Sequence, residues 1–64
     1  MPWTLRIHFS DGNFADETNC KDLNDCRERY KLAIENGYLL ETDDGSIEWP
    51  PHSIVKCEYL KEGF

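Results

Sequence analysis

From Trp3 to Phe9 the chain alternates, with Trp3, Leu5, Ile7 and Phe9 on one side and Thr4, Arg6 and His8 on the other. A period of two marks a half-buried strand. Asp11-Gly12 follows, a dipeptide suited to the positive φ angles of a two-residue type I′ turn. That turn pairs Ser10 with Asn13 and Phe9 with Phe14, so both phenyl rings are expected on the buried face. The second strand is short and fades by Asp16-Glu17. From Lys21 to Glu35 the period lengthens: Leu23, Cys26, Tyr30, Ala33 and Ile34 recur at three- and four-residue steps, flanked by Leu32, as in an amphipathic helix. Asn19 or Asp22 can cap its first turn, and Asn36-Gly37 ends it with a glycine suited to positive φ.

A second hairpin is expected in "YLLETDDGSIEW", centred on Asp44-Gly45. Pairing Asp43 with Ser46 sets Thr42 opposite Ile47, Leu40 opposite Trp49 and, on the other face, Glu41 opposite Glu48. Pro50-Pro51 cannot continue a ladder and forces an extended corner. In "SIVKCEYL" the residues Val55, Cys57 and Tyr59 alternate with Ile54, Lys56 and Glu58, which makes a last strand with the first set inward. The expected fold is α+β: a small antiparallel sheet of about five strands with one helix packed on one face, in the order β-β-α-β-β-β. Residues 1–64 form a single domain in this reading.

Composition narrows the function. With 39% hydrophobic residues, including two Trp, three Tyr and three Phe, the chain is apolar enough to fold despite 31% charge. A chain of 64 residues must do so around a compact core in which both Trp3 and Trp49 are needed. The net charge of -6 disfavours direct nucleic-acid or anionic-membrane binding and favours a basic protein partner. The N-terminal stretch lacks a signal-peptide pattern and no apolar run reaches membrane length, so a soluble cytoplasmic protein is expected. Three cysteines, at 20, 26 and 57, are an odd number and do not make a disulfide framework. No symmetric apolar patch argues for a dimer, and a monomer is expected.

Chemical motifs are sparse. Cys20, Cys26, His52 and Cys57 can be written as a Cys3His zinc set, but they lack the closely spaced cysteine pair of a structural zinc knuckle, and Cys26 and Cys57 fall on predicted core faces. Neither His8 nor His52 accompanies a nucleophile motif, and so short a chain has little room for a substrate pocket. "ETDDGSIEW" has acids and a glycine without calcium-loop spacing. No enzyme activity, metal or cofactor is expected.

The acids themselves stand out. The segment from Leu32 to Val55 contains no Lys or Arg, yet carries Glu35, Glu41, Asp43, Asp44 and Glu48. The segment from Ile7 to Cys20 is equally free of Lys and Arg and carries Asp11, Asp16 and Glu17. Three of the seven basic residues sit together in the helix, in "CRERYK". A surface laid out for solubility alone would intersperse the signs. Glu41, Asp43, Asp44 and Glu48 are therefore the main candidate contact set and Asp11, Asp16 and Glu17 the second, with Arg6 and His8 tuning the surface. A row of carboxylates can imitate the charge of a nucleic acid and enter a Lys- and Arg-lined channel. In size, acidity and compact α+β character, the whole chain resembles the small acidic anti-CRISPR proteins encoded by phages and mobile elements, several of which are DNA mimics; it shares no quotable motif with them. The resemblance implies a non-enzymatic inhibitor of a type I system whose partner is a CRISPR surveillance complex, blocked at target-DNA binding. The rival expectation is a small interaction module or accessory subunit that binds through apolar residues around Trp49.

Overall fold

The computed structural model describes residues 2–61. Five strands and one α-helix follow one another in the expected order: β1 (Trp3–Phe9), β2 (Phe14–Cys20), α1 (Leu23–Asn36), β3 (Tyr38–Thr42), β4 (Gly45–Trp49) and β5 (Ile54–Lys61), with a 3-10 turn at Pro51–Ser53 before β5. All pairing is antiparallel. The strands divide into a three-stranded sheet, β2-β1-β5, and a separate hairpin, β3-β4. Pro50, extended at φ -68° and ψ 160°, and the short turn after it carry the chain from β4 to the far edge of the main sheet.

Helix α1 packs on the face of the main sheet that carries Leu5, Ile7 and Phe9. Its start is capped as expected by Asp22, whose Oδ1 accepts from the Asp25 N–H at 2.8 Å, while Asp25 Oδ2 accepts in return from the Lys21 N–H at 2.9 Å. Cys26 and Ala33 are its buried residues. Leu23 and Ile34, assigned inward from spacing alone, are exposed, as is the flanking Leu32; the small residues at 26 and 33 are the ones that face the sheet and leave the helix flanks in solvent.

Three local irregularities reset which residues face inward. In the first hairpin the Gly12 N–H donates to Phe9 O at 3.1 Å and the Phe9 N–H to Asn13 O at 2.9 Å. Gly12 alone takes positive φ (91°), so the connection is a three-residue loop ending in a left-handed glycine and not the two-residue type I′ turn. Register moves by one residue: His8 pairs with Phe14 and Ile7 with Ala15. One residue of slip reverses every side chain, so Phe14 is exposed and Ala15 takes the core position. Farther along β2 the register shifts again between Trp3 and Leu5, at Asn19 with φ 72°. This bulge turns Cys20 inward, where it is fully buried. A third shift, where Phe9 pairs with Ile54, exposes Val55 and puts Ile54 against the core, opposite to the expected facing.

The second hairpin is also re-registered. Thr42 pairs with Gly45, Glu41 with Ser46, Leu40 with Ile47, Leu39 with Glu48 and Tyr38 with Trp49. The turn is Asp43-Asp44, and Glu41 does not oppose Glu48. A shift of two residues preserves facing, so Tyr38, Leu40 and Trp49 still share one side and pack on the core as expected. Trp49 lies flat on Phe9, with ring centroids 4.0 Å apart and planes 2° from parallel. Among the described residues no helix is long and apolar enough to cross a membrane.

Candidate functional site: the acidic hairpin

Glu41, Asp43, Asp44 and Glu48 lie along the outer part of the β3-β4 hairpin and are all exposed. Among the described residues, no side-chain hydrogen bond or ion pair engages any of the four; the contact at this end of the hairpin runs from Thr42 Oγ1 to the Gly45 carbonyl at 3.1 Å. Glu41 and Glu48 project from the same face on neighbouring strands, related diagonally and so about 7–8 Å apart at the backbone. With a rise of about 3.3 Å per residue, the four charges fall within roughly 13 Å of ribbon. Over that length a single nucleic-acid strand carries about four charges and a duplex about eight. The hairpin can thus present a fixed row of carboxylates at nucleic-acid density.

Asp11, Asp16 and Glu17 are not gathered with them. Asp16 points away from the helix and takes a bidentate pair from Arg6, Nε to Oδ1 at 2.8 Å and Nη2 to Oδ2 at 3.0 Å. That hydrogen-bonded pair holds the Asp16 carboxyl below its ordinary value. Asp11 Oδ1 accepts from the Asn13 N–H at 2.9 Å and Oδ2 from the Trp49 indole Nε1 at 3.1 Å; the backbone bond, then the indole, lowers its pKa. Glu17 points to the helix side, where Oε1 accepts from Arg29 Nη1 and Oε2 from the Tyr38 hydroxyl, each at 2.8 Å. Burial first, then this bond, pushes the Tyr38 hydroxyl above its ordinary value. Arg6 and His8 are likewise occupied: Arg6 lies over the Phe14 ring at 4.6 Å, and His8 Nε2 is 2.6 Å from Glu58 Oε1.

No family model matches the chain, and no curated protein or solved structure matches it. The chemistry of the surface therefore speaks through its own residues.

Trp49 is buried, at 8% exposure, and cannot serve as the exposed anchor of an apolar interface. Stacking on Phe9 and the hydrogen bond to Asp11 hold it in the core. The exposed apolar side chains on and beside the acidic hairpin are instead Leu39, Ile47 and, on α1, Leu32, at 53%, 49% and 60% exposure. Leu39 was legible as an outlier, since it breaks the alternation of Tyr38, Leu40 and Thr42. Among the described residues no group of three or more His, Cys, Asp or Glu is placed to hold a metal ion. Cys20 and Cys26 are fully buried, and burial, then the neighbouring Cys20 thiol, pushes the Cys26 thiol up to about 12, far from the thiolate a nucleophile needs.

Proposed function

We propose that this protein is a non-enzymatic inhibitor that uses its acidic hairpin as a DNA mimic. It occupies the Lys- and Arg-lined channel of a nucleic-acid-binding protein, and its resemblance to anti-CRISPR proteins points to a CRISPR surveillance complex in a host bacterial cytosol. It acts as a monomer, by occupancy. The observation that carries this reading is a division of labour among the carboxylates. Asp11, Asp16 and Glu17 are consumed by internal partners, whereas Glu41, Asp43, Asp44 and Glu48 are solvent-exposed and uncommitted. Uncommitted like charges on one ribbon repel one another in the free protein, and a basic partner relieves that repulsion.

The test is capture of proteins from a bacterial lysate with an active CRISPR system on the immobilised protein, with and without competing duplex DNA and raised salt. A surveillance complex should be retained and released by either competitor, since association driven by charge is screened. The triple variant Asp43→Lys, Asp44→Lys and Glu48→Lys should keep its circular dichroism and lose retention. If retention survives in the folded variant, the mimic reading is wrong.

A further inference from the structure

Beside the acidic hairpin the protein has an open, mostly apolar cleft of about 370 Å³ between the C-terminal half of α1 and the start of β3. Leu32, Ala33, Tyr38 and Leu39 line it, with Glu17 and Arg29 at one side. Arg29 is the one cation among its lining residues, and its guanidinium is spent on Glu17 at 2.8 Å and Asp25 at 3.4 Å. The surroundings are acidic from both elements. Leu39 pairs with Glu48 across the hairpin and shares a face with Glu41. On the helix, Glu28 and Glu35 stand four residues before and three residues after Leu32, the spacings that make neighbours on a helix surface. Arg27 and Lys31 lie on the opposite flank of α1, with Glu28, Ile34 and Tyr59. The helix thus keeps Arg27 and Lys31 out of the cleft lining, while Glu28 and Glu35, three residues before and four after Lys31, stand on the ridge between the two flanks.

We propose that this cleft receives a Lys- and Arg-rich peptide segment of a partner protein, with one or two apolar side chains seated between Leu32 and Leu39 and its cations against Glu41 and Glu48. The volume suits one or two side chains, and the charge of the rim selects a basic segment over an acidic or neutral one. This rests on the basic-partner reading above and adds an apolar anchor beside the charge row, the central buried contact that pure charge matching lacks.

A random peptide library displayed on phage, panned against the purified protein and counter-selected on the Leu32→Ser, Leu39→Ser double variant, tests it. Both leucines are more than half exposed, so the variant should melt like the parent. The expected result is enrichment of peptides that combine Lys or Arg with one or two apolar residues. Such peptides should bind the double variant about tenfold or more weakly, as expected for losing a buried leucine contact. Their amide shift changes should centre on residues 32 and 39. Enrichment of peptides without basic residues, absence of any peptide that prefers the parent, or self-association of the free protein through Leu32 and Leu39 would overturn the proposal. The two readings separate cleanly. Loss of capture on reversing Asp43 and Asp44 alone, which lie at the turn away from the cleft, with no effect of the leucine changes keeps the mimic and removes the cleft; the converse removes the mimic and keeps the cleft.

Discussion

Glu17 joins three elements through one carboxylate: it sits on β2, takes Arg29 from α1 and takes the Tyr38 hydroxyl from β3. Its sequence neighbour Asp16 faces the other way and is held by Arg6. We expect Glu17→Ala to cost about 1–2 kcal/mol in urea unfolding, because it leaves the half-buried Tyr38 hydroxyl without its acceptor and the Arg29 guanidinium with only the longer contact to Asp25. Glu41→Ala, on the exposed hairpin, should stay within about 0.5 kcal/mol of the parent. Equal effects at the two positions would refute the assignment of one acid to structure and the other to surface. In the sequence these carboxylates looked alike, because the partners of Asp16, Glu17 and Asp11 are 10, 12, 21 and 38 residues away. A local count of Lys and Arg registers the absence of near cations and is blind to a cation or indole delivered by the fold.

At the scale of elements, helix and hairpin meet with a single residue between them. Gly37 closes α1 by donating its N–H to Ala33 O at 2.7 Å, and its φ of 89° with ψ of 177° belongs to a region used almost only by glycine. A Cβ there would also stand 2.7 Å from the Trp49 carbonyl oxygen, which is backbone and has no easy way to give. Gly37→Ala should therefore destabilise the protein by about 2–3 kcal/mol or more, read from the denaturation midpoint followed by tryptophan fluorescence. An unchanged midpoint would mean that the joint is looser than described. The identity, order and limits of most elements were legible because period two and period three-to-four are strong signals in Trp3–Phe9 and Leu23–Asn36. Facing was less legible, since alternation assumes an unbroken strand. The three-residue loop after Phe9 reverses Phe14 and Ala15, and the register shift near Val55 reverses Ile54 and Val55 while leaving Cys57 inward, and nothing in periodicity marks the extra residue.

At the scale of the molecule, four carboxyls among the described residues are held below their ordinary values by native contacts: Asp11 by the Asn13 backbone, Asp16 by Arg6, Asp25 by the Lys21 backbone and Glu58 by His8. Each binds its proton less readily folded than unfolded. The stability they contribute is complete above the ordinary values of 3.8 for Asp and 4.5 for Glu, and is lost as pH falls through the lowered native values. Urea melts across this acid range should show stability falling with pH, and Asp16→Asn should flatten part of that fall. A slope untouched by this substitution would show that the Arg6 pair forms equally in the unfolded chain.

The division of the strands into two sheets has a consequence for how such a protein can change over generations. The outer half of β3-β4 hangs from a fixed base of Gly37, Tyr38 and Trp49, and the β1-β2-β5 sheet closes without pairing to it. Residues 41–48 can be replaced or lengthened at little expense to the rest of the chain, so descendants can vary the fingertip while inheriting the knuckle intact.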